Sequence, residues 1–180
     1  MILAIDVQYT ETAAYVAGVL FECWDADSPI GEFVTRVEEV APYQPGQFYK
    51  RELPCILALL NEHSLAPITF VIDGYVYLDG ASKAGLGKHL FDALQQKAAK
   101  ANGGVSDQGR PVEVIGVAKK AFVDISTDCE LFRGTSQKPL YVTTTGDVST
   151  AKSAIALMAG KHRIPTLLKR ADQLCREAAK

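Results

Sequence analysis

Long hydrophobic runs are missing from this 180-residue chain. No apolar stretch reaches the roughly 18 residues that span a bilayer. No charged n-region followed by an apolar h-region and cleavage site opens the sequence, so the expectation is a cytoplasmic protein without membrane contact. Paired cysteines are missing too. Cys23, Cys55, Cys129 and Cys175 are scattered with no C-x-x-C spacing, so neither a disulfide framework nor a zinc site is indicated. Cys55 and Cys175 fall in helical patterns and read as core thiols. Charge imbalance is slight: the formal net charge is -2, which argues against a protein that coats nucleic acid non-specifically. It leaves room for an enzyme with a local basic cleft. No internal repeat, low-complexity tract or linker divides the chain. What is there, 48% hydrophobic and 22% charged, reads as one globular domain over residues 1–180, burying about two-thirds of its unfolded surface.

The first 40 residues read as three strands, about Met1–Gln8, Thr12–Glu22 and Ile30–Val40, joined by short polar turns, which suggests an antiparallel meander. Pro42-Tyr43-Gln44-Pro45-Gly46 is a rigid loop. Leu53, Ile56, Leu57, Leu59 and Leu60 then mark an amphipathic helix. Pro67 precedes a strand over Ile68–Ile72, and a loop rich in Gly and Tyr leads to a helix over about Leu86–Ala101. Asn102–Arg110 reads as a polar surface loop. Strands follow at Val112–Val117 and Leu140–Thr143, then helices at about Ser149–Ala159 and Pro165–Ala179. This order resembles the ribonuclease H-like α/β fold, a mixed five-stranded sheet with helices on both faces.

Three carboxylates sit at the ends of these apolar elements. Asp6 closes Ile2-Leu3-Ala4-Ile5, Asp73 closes Thr69-Phe70-Val71-Ile72, and Glu52 opens the first helix. Acids at the tips of buried strands carry an electrostatic cost unless something cationic lies between them. Mg²⁺, with Mn²⁺ as substitute, is the usual answer, because hard ions take oxygen ligands. In the expected sheet the first strand lies beside the parallel one that ends in Asp73, which brings Asp6 and Asp73 to the same edge. The bland alternatives are strand-end turns for the two aspartates and a helix-dipole contact for Glu52.

The segments around these acids resemble endonuclease V, the nucleases that cut beside deaminated adenine. Ala4-Ile5-Asp6-Val7-Gln8-Tyr9 is similar to the family's first-strand motif. Pro42-Tyr43-Gln44-Pro45-Gly46 with Arg51-Glu52-Leu53-Pro54 resembles its wedge loop and acid-bearing helix start. Val71-Ile72-Asp73-Gly74 resembles the second aspartate motif, and Ile115-Gly116-Val117-Ala118-Lys119-Lys120 the lysine-bearing strand end. The resemblance runs from about residue 3 to 176. It implies that Asp6, Asp73 and Glu52 are metal ligands, with Glu52 supporting the attacking water or a second metal, and that Lys119 stabilises charge. Tyr43 is implied as the wedge that helps push a base from its stack, with Gly46, Gly74, Gly85 and Gly116 letting the backbone approach nucleic acid. The implied partner is DNA or RNA containing hypoxanthine, cut one nucleotide 3′ of that base, by a protein expected to be monomeric.

Departures from the family pattern are as informative. The family's histidine after the last strand is matched by Thr144-Thr145-Gly146-Asp147, making Asp147 a candidate fourth acid, with an impaired or repurposed site and simple helix capping as the alternatives. The loop after Asp73 reads Tyr75-Val76-Tyr77-Leu78-Asp79-Gly80 where the family has a Gly-His-Gly-like continuation, which puts base preference in doubt. The helical segment commonly found before the first strand is not in this sequence, so the chain reads as a shortened, divergent member. His63 and His162 read as structural or solvated, and His89 as near the substrate side. Lys161, His162, Arg163, Lys169 and Arg170 form a modest basic cluster, explained equally by phosphate contact or a solvated face.

Overall fold

Strand β1 (Ile2–Tyr9) pairs antiparallel with β2 (Ala14–Phe21) along its whole length, from Ile2 opposite Phe21 to Tyr9 opposite Ala14. β2 pairs in turn with β3 (Gly31–Val37), which completes the expected meander. The computed structural model describes residues 1–38, 40, 42, 44, 47–101 and 112–180. Tyr43, Gly46 and the polar segment 102–110 lie outside these described residues.

Helix α1 (Tyr49–Glu62) returns the chain to β4 (Thr69–Ile72), which runs parallel to β1 with Ile5 opposite Ile72. Helix α2 (Leu86–Ala101) then delivers β5 (Glu113–Ala118), parallel to β4. A 3-10 turn (Thr127–Cys129) leads into β6 (Glu130–Leu131), β7 (Leu140–Thr144), α3 (Val148–Leu157) and α4 (Thr166–Ala178). The sheet order is β3-β2-β1-β4-β5-β7-β6. Its first five strands form the ribonuclease H-like core, and the expectation of five strands is corrected to seven. β7 extends the sheet because Leu140 and Val142 are fully buried and it ladders antiparallel onto β5. β6 adds a two-residue edge, too short to leave a period in the sequence.

Both faces of the sheet are covered, as parallel strands require. On one face Leu3, Ile5, Phe70, Ile72 and Val114 pack against Ile56, Leu59 and Leu60 of α1 and Leu86 and Leu90 of α2. On the other, Ile2, Ala4, Val71, Ile115 and Val117 pack against Ala151 and Ile155 of α3 and Leu167 and Ala171 of α4. Each fully buried Leu or Ile contributes roughly 1.5–3 kcal/mol of burial. The packing is close: a Cβ on Gly18 in β2 would stand 2.9 Å from the Leu59 side chain. Among the described residues no helix is long and apolar enough to cross a membrane.

Candidate active site

Strand alternation places the polar groups. Side chains two apart on a strand share a face, and Ala4, Val71 and Val117 all face α3 and α4. Asp6, Asp73 and Lys119 follow each of these by two residues and therefore emerge on the α4 side. The parallel register stops at Ile5 opposite Ile72, so Asp6 and Asp73 stand side by side one step beyond it. A cavity of about 400 Å³ opens there, between α4 and the strand ends. Its apolar floor includes Ala4, Val71, Val117 and Leu168, and its polar wall holds Asp6, Asp73, Lys119, His162, Arg163, Lys169, Asp172 and Arg176.

Asp172 is the residue that sequence reasoning missed. It lies on α4 next to Ala171, at the margin of the apolar stripe of Leu167, Ala171 and Cys175. A half-buried carboxylate beside such a stripe was the signal available. His162, expected to be structural or solvated, also lines the cavity.

Glu52 reaches the same centre from the opposite face. Helix α1 begins at Tyr49, three residues before Glu52, and its first turn has no side-chain cap. Ring contacts hold that turn instead: Tyr49 stacks on His89 with centroids 3.6 Å apart, and the Arg51 guanidinium lies 3.9 Å over the Tyr9 ring. Glu52 is thereby fixed at 5% exposure, with Oε2 buried and lacking a hydrogen-bond partner among the described residues.

The charges are strained against one another. Burial, then the charges of Asp73 and Asp172, push the Asp6 carboxyl from its ordinary 3.8 up to about 7, although the Val7 amide and Lys119 act the other way. Burial first, then Asp6 and Asp73, push Glu52 well above the usual carboxylate range. The Lys119 ammonium sits 2.7 Å from Asp73 Oδ2. Burial alone would lower its pKa, but that hydrogen bond and the charges of Asp73, Asp6 and Asp172 outweigh burial and raise it. Arg176 Nε lies 2.9 Å from Asp172 Oδ1. Asp73 and Asp172 each have a cationic partner, while among the described residues none pairs with Asp6 or Glu52.

This donor set suits a hard divalent cation: clustered carboxylates whose charged forms raise one another's cost, and a buried Glu52 oxygen with nothing bonded to it. Among the described residues no three acidic, histidine or cysteine groups converge into a ready-made cage. Lys119 occupies Asp73 instead.

Other candidates fall elsewhere. Asp147 does not line the cavity; it is exposed and caps α3, accepting from the Thr150 amide at 2.8 Å and the Thr150 hydroxyl at 2.7 Å, bonds that lower its pKa. The acid that lines the cavity beside Asp6 and Asp73 is thus Asp172 and not Asp147, because the turn before α3 is directed into helix capping. Gly85 and Gly116 are packing points of the loop after Asp73, whereas Gly74 is required by its backbone conformation and not by close packing. Gly74 adopts φ 153°, and a Cβ on Gly85 or Gly116 would stand 2.5 Å from the carbonyl oxygen of Tyr75 or Gly74 respectively. Arg170, from the basic cluster, is engaged by Glu32 and Glu177.

No protein-family model matches the chain. Its sequence is 29% identical, over a 201-residue alignment, to endonuclease V of Streptomyces avermitilis, covering 99% of this chain and 80% of the relative. The solved structure of an endonuclease V from the same organism superposes with a TM-score of 0.71 at 27% identity, again over 99% of this chain and 80% of the other. The chain is similar to endonuclease V in both sequence and fold. The fold is shared with Ciona intestinalis endonuclease V in complex with a 24mer DNA containing an inosine followed by a ribo-adenosine, at a TM-score of 0.72 and 18% identity, covering 99% of this chain and 85% of that one. The strand order β3-β2-β1-β4-β5 that sets Asp6 beside Asp73 is therefore embedded in a fold common to these nucleases.

Proposed function

We propose that the chain is a Mg²⁺-dependent endonuclease, with Mn²⁺ as substitute, that cuts DNA or RNA 3′ of a hypoxanthine base and leaves a 3′ hydroxyl and a 5′ phosphate. The observation that carries this reading is the gathering of Asp6, Asp73 and Asp172 with Lys119 at one cavity, backed by the unpartnered oxygen of Glu52. Asp6 and Asp73 would hold the ion, with Asp172 and Glu52 beside them. When bound, the ion offsets the phosphate's charge and helps generate the nucleophile. Lys119 keeps its proton and presents positive charge to the phosphate. Glu52 offers its buried oxygen as acceptor to the attacking water. Water oxygen joins phosphorus, the bond from phosphorus to the 3′ oxygen breaks, and that oxygen takes up a proton. Tyr43, beyond the described residues, would serve as wedge, with Gly46 beside it. The clustered site, with Lys169 and the His162 side chain on its wall, supports a nucleic-acid partner.

A second reading, a structure-specific nuclease, is favoured by the loop after Asp73. Val76 is fully buried there and its amide donates to Thr143 Oγ1 at 2.8 Å, so this loop is filled by its own side chain. Gel-resolved cleavage of 5′-labelled DNA and RNA oligonucleotides, each with one inosine, separates the readings. A metal-dependent cut 3′ of inosine, lost in Asp73→Ala, is expected. Cutting indifferent to inosine would move the assignment to the second reading. Binding without any cut would mark a non-catalytic relative.

A further inference from the structure

The turn that follows β5 carries Lys119 and is gripped from two sides. From the loop before α4, Arg163 Nη2 donates to the Lys119 carbonyl at 2.6 Å and to the Pro139 carbonyl at 2.6 Å. From the loop after β4, the Tyr75 hydroxyl donates to the Lys120 carbonyl at 2.6 Å and accepts from the Phe122 amide at 3.1 Å. The Tyr75 ring meets Phe122 edge-on at 6.2 Å. Two successive carbonyls are thus each captured by a side chain from another part of the chain. Backbone at a strand end ordinarily moves, and a lysine stem adds up to about 2 kcal/mol of rotamer entropy against holding one position. Fixing the turn reduces the freedom that the Lys119 ammonium must lose to sit on Asp73. Tyr75 is also only two residues from Asp73, so one loop supplies both the carboxylate and the grip on its cation.

We propose that Tyr75, with Arg163 opposite, is a positioning residue that locks the turn after β5 and so holds the Lys119 ammonium on Asp73. Its catalytic consequence rests on the reading of Lys119 as the cation that meets the phosphate. Tyr75 sits outside the lining of the cavity and acts through Lys119.

The test compares Tyr75→Phe, Lys119→Ala and the double variant with the unaltered chain, with Arg163→Lys probing the other side of the grip. Tyr75→Phe keeps the ring and removes both hydrogen bonds. In the metal-free protein, hydrogen exchange at the Phe122 amide should quicken by about tenfold or more, and the order parameter of the Lys119 Cε should fall. With inosine oligonucleotides and Mn²⁺, kcat should drop on the order of tenfold with KM nearly unchanged, below the ~100-fold that larger misplacements cause. In the Lys119→Ala background the same change should cost nothing further, because both act through one ammonium. An unchanged Lys119 order parameter in both Tyr75→Phe and Arg163→Lys, or losses that multiply in the double variant, overturns the proposal. If the unaltered chain cuts no substrate, the nuclease reading fails by itself, and the order parameter still decides the grip.

Discussion

A carboxylate whose charged form is disfavoured by its neighbours takes up protons and cations in competition, and Asp6 is placed to do both. Its pKa of about 7 lies above the ordinary 3.8. The folded state therefore binds more protons than the unfolded chain between these values, and stability falls as pH rises. Glu52, raised by burial and by the same neighbours, adds to that loss. Without metal the melting temperature should drop from pH 5 to pH 8. Millimolar Mg²⁺ or Mn²⁺ should restore more of it at pH 8 than at pH 6, since protons compete for the same oxygens. Asp6→Asn should flatten the slope and abolish the metal response; a metal-free melting temperature that climbs over this range would contradict the electrostatics. Glu52→Gln mimics the protonated acid and should flatten the slope in the same way. Asp6 and Asp73 were legible in the sequence because each ends a short apolar run and the expected sheet order sets those two strand ends side by side, while Lys119 was legible through the resemblance of its strand end to the family's motif. Asp172 was not, since within an amphipathic helix it reads as one more polar residue until α4 docks beside β1 and β2.

Elements find their ends through local chemistry, and Asp147 shows how such chemistry can take up a residue that sequence context marked for catalysis. Its side chain satisfies the Thr150 amide at the start of α3, so Asp147→Ala should cost about 1 kcal/mol of stability and change kcat less than twofold. A hundredfold loss of cleavage without loss of stability would return it to the site. Arg133, buried at 8% exposure, works at the other end of α3. Its guanidinium donates to the carbonyls of Met158, Ala159 and His162 and so shapes the loop that brings His162 and Arg163 to the cavity. Arg133→Met leaves those carbonyls unpaired and should cost about 2–4 kcal/mol, measurable by urea unfolding; a change under 0.5 kcal/mol would show that water replaces the contact. The described α-helices and all strands but β6 were legible, within a few residues at each end, because each carries a helical period, an alternating pattern or a short continuous apolar run bounded by turns. Arg133 had no such signature: a lone arginine in an irregular segment gives no hint that three carbonyls will surround it.

Across the whole molecule, a net charge of -2 means that attraction to nucleic acid depends on local clusters of positive charge, of which the cavity wall is the one beside the acids. Of its cations, Lys119 is committed to Asp73, Arg176 to Asp172, and Arg163 to two backbone carbonyls. Lys169 and His162 also line the wall. This arrangement, with Asp6 to Asp73 reachable only because a parallel pair sits at the centre of a mixed sheet, predicts binding that leans on few phosphates. The slope of log K against log salt should therefore be shallow, about -2 to -3 without divalent metal, at roughly 0.9 per phosphate neutralised on duplex DNA. Lys169→Ala should weaken binding uniformly across sequences and reduce that slope by about 1. Arg170→Ala, from the neighbouring position on α4, should leave the slope nearly unchanged, because its guanidinium is bonded to Glu32 at 2.7 Å and 2.8 Å. Fluorescence anisotropy over a salt series measures both. Equal effects of the two substitutions, or a slope near -6 in the unaltered chain, would mean that an extended basic surface, and not the cavity wall, carries the strand.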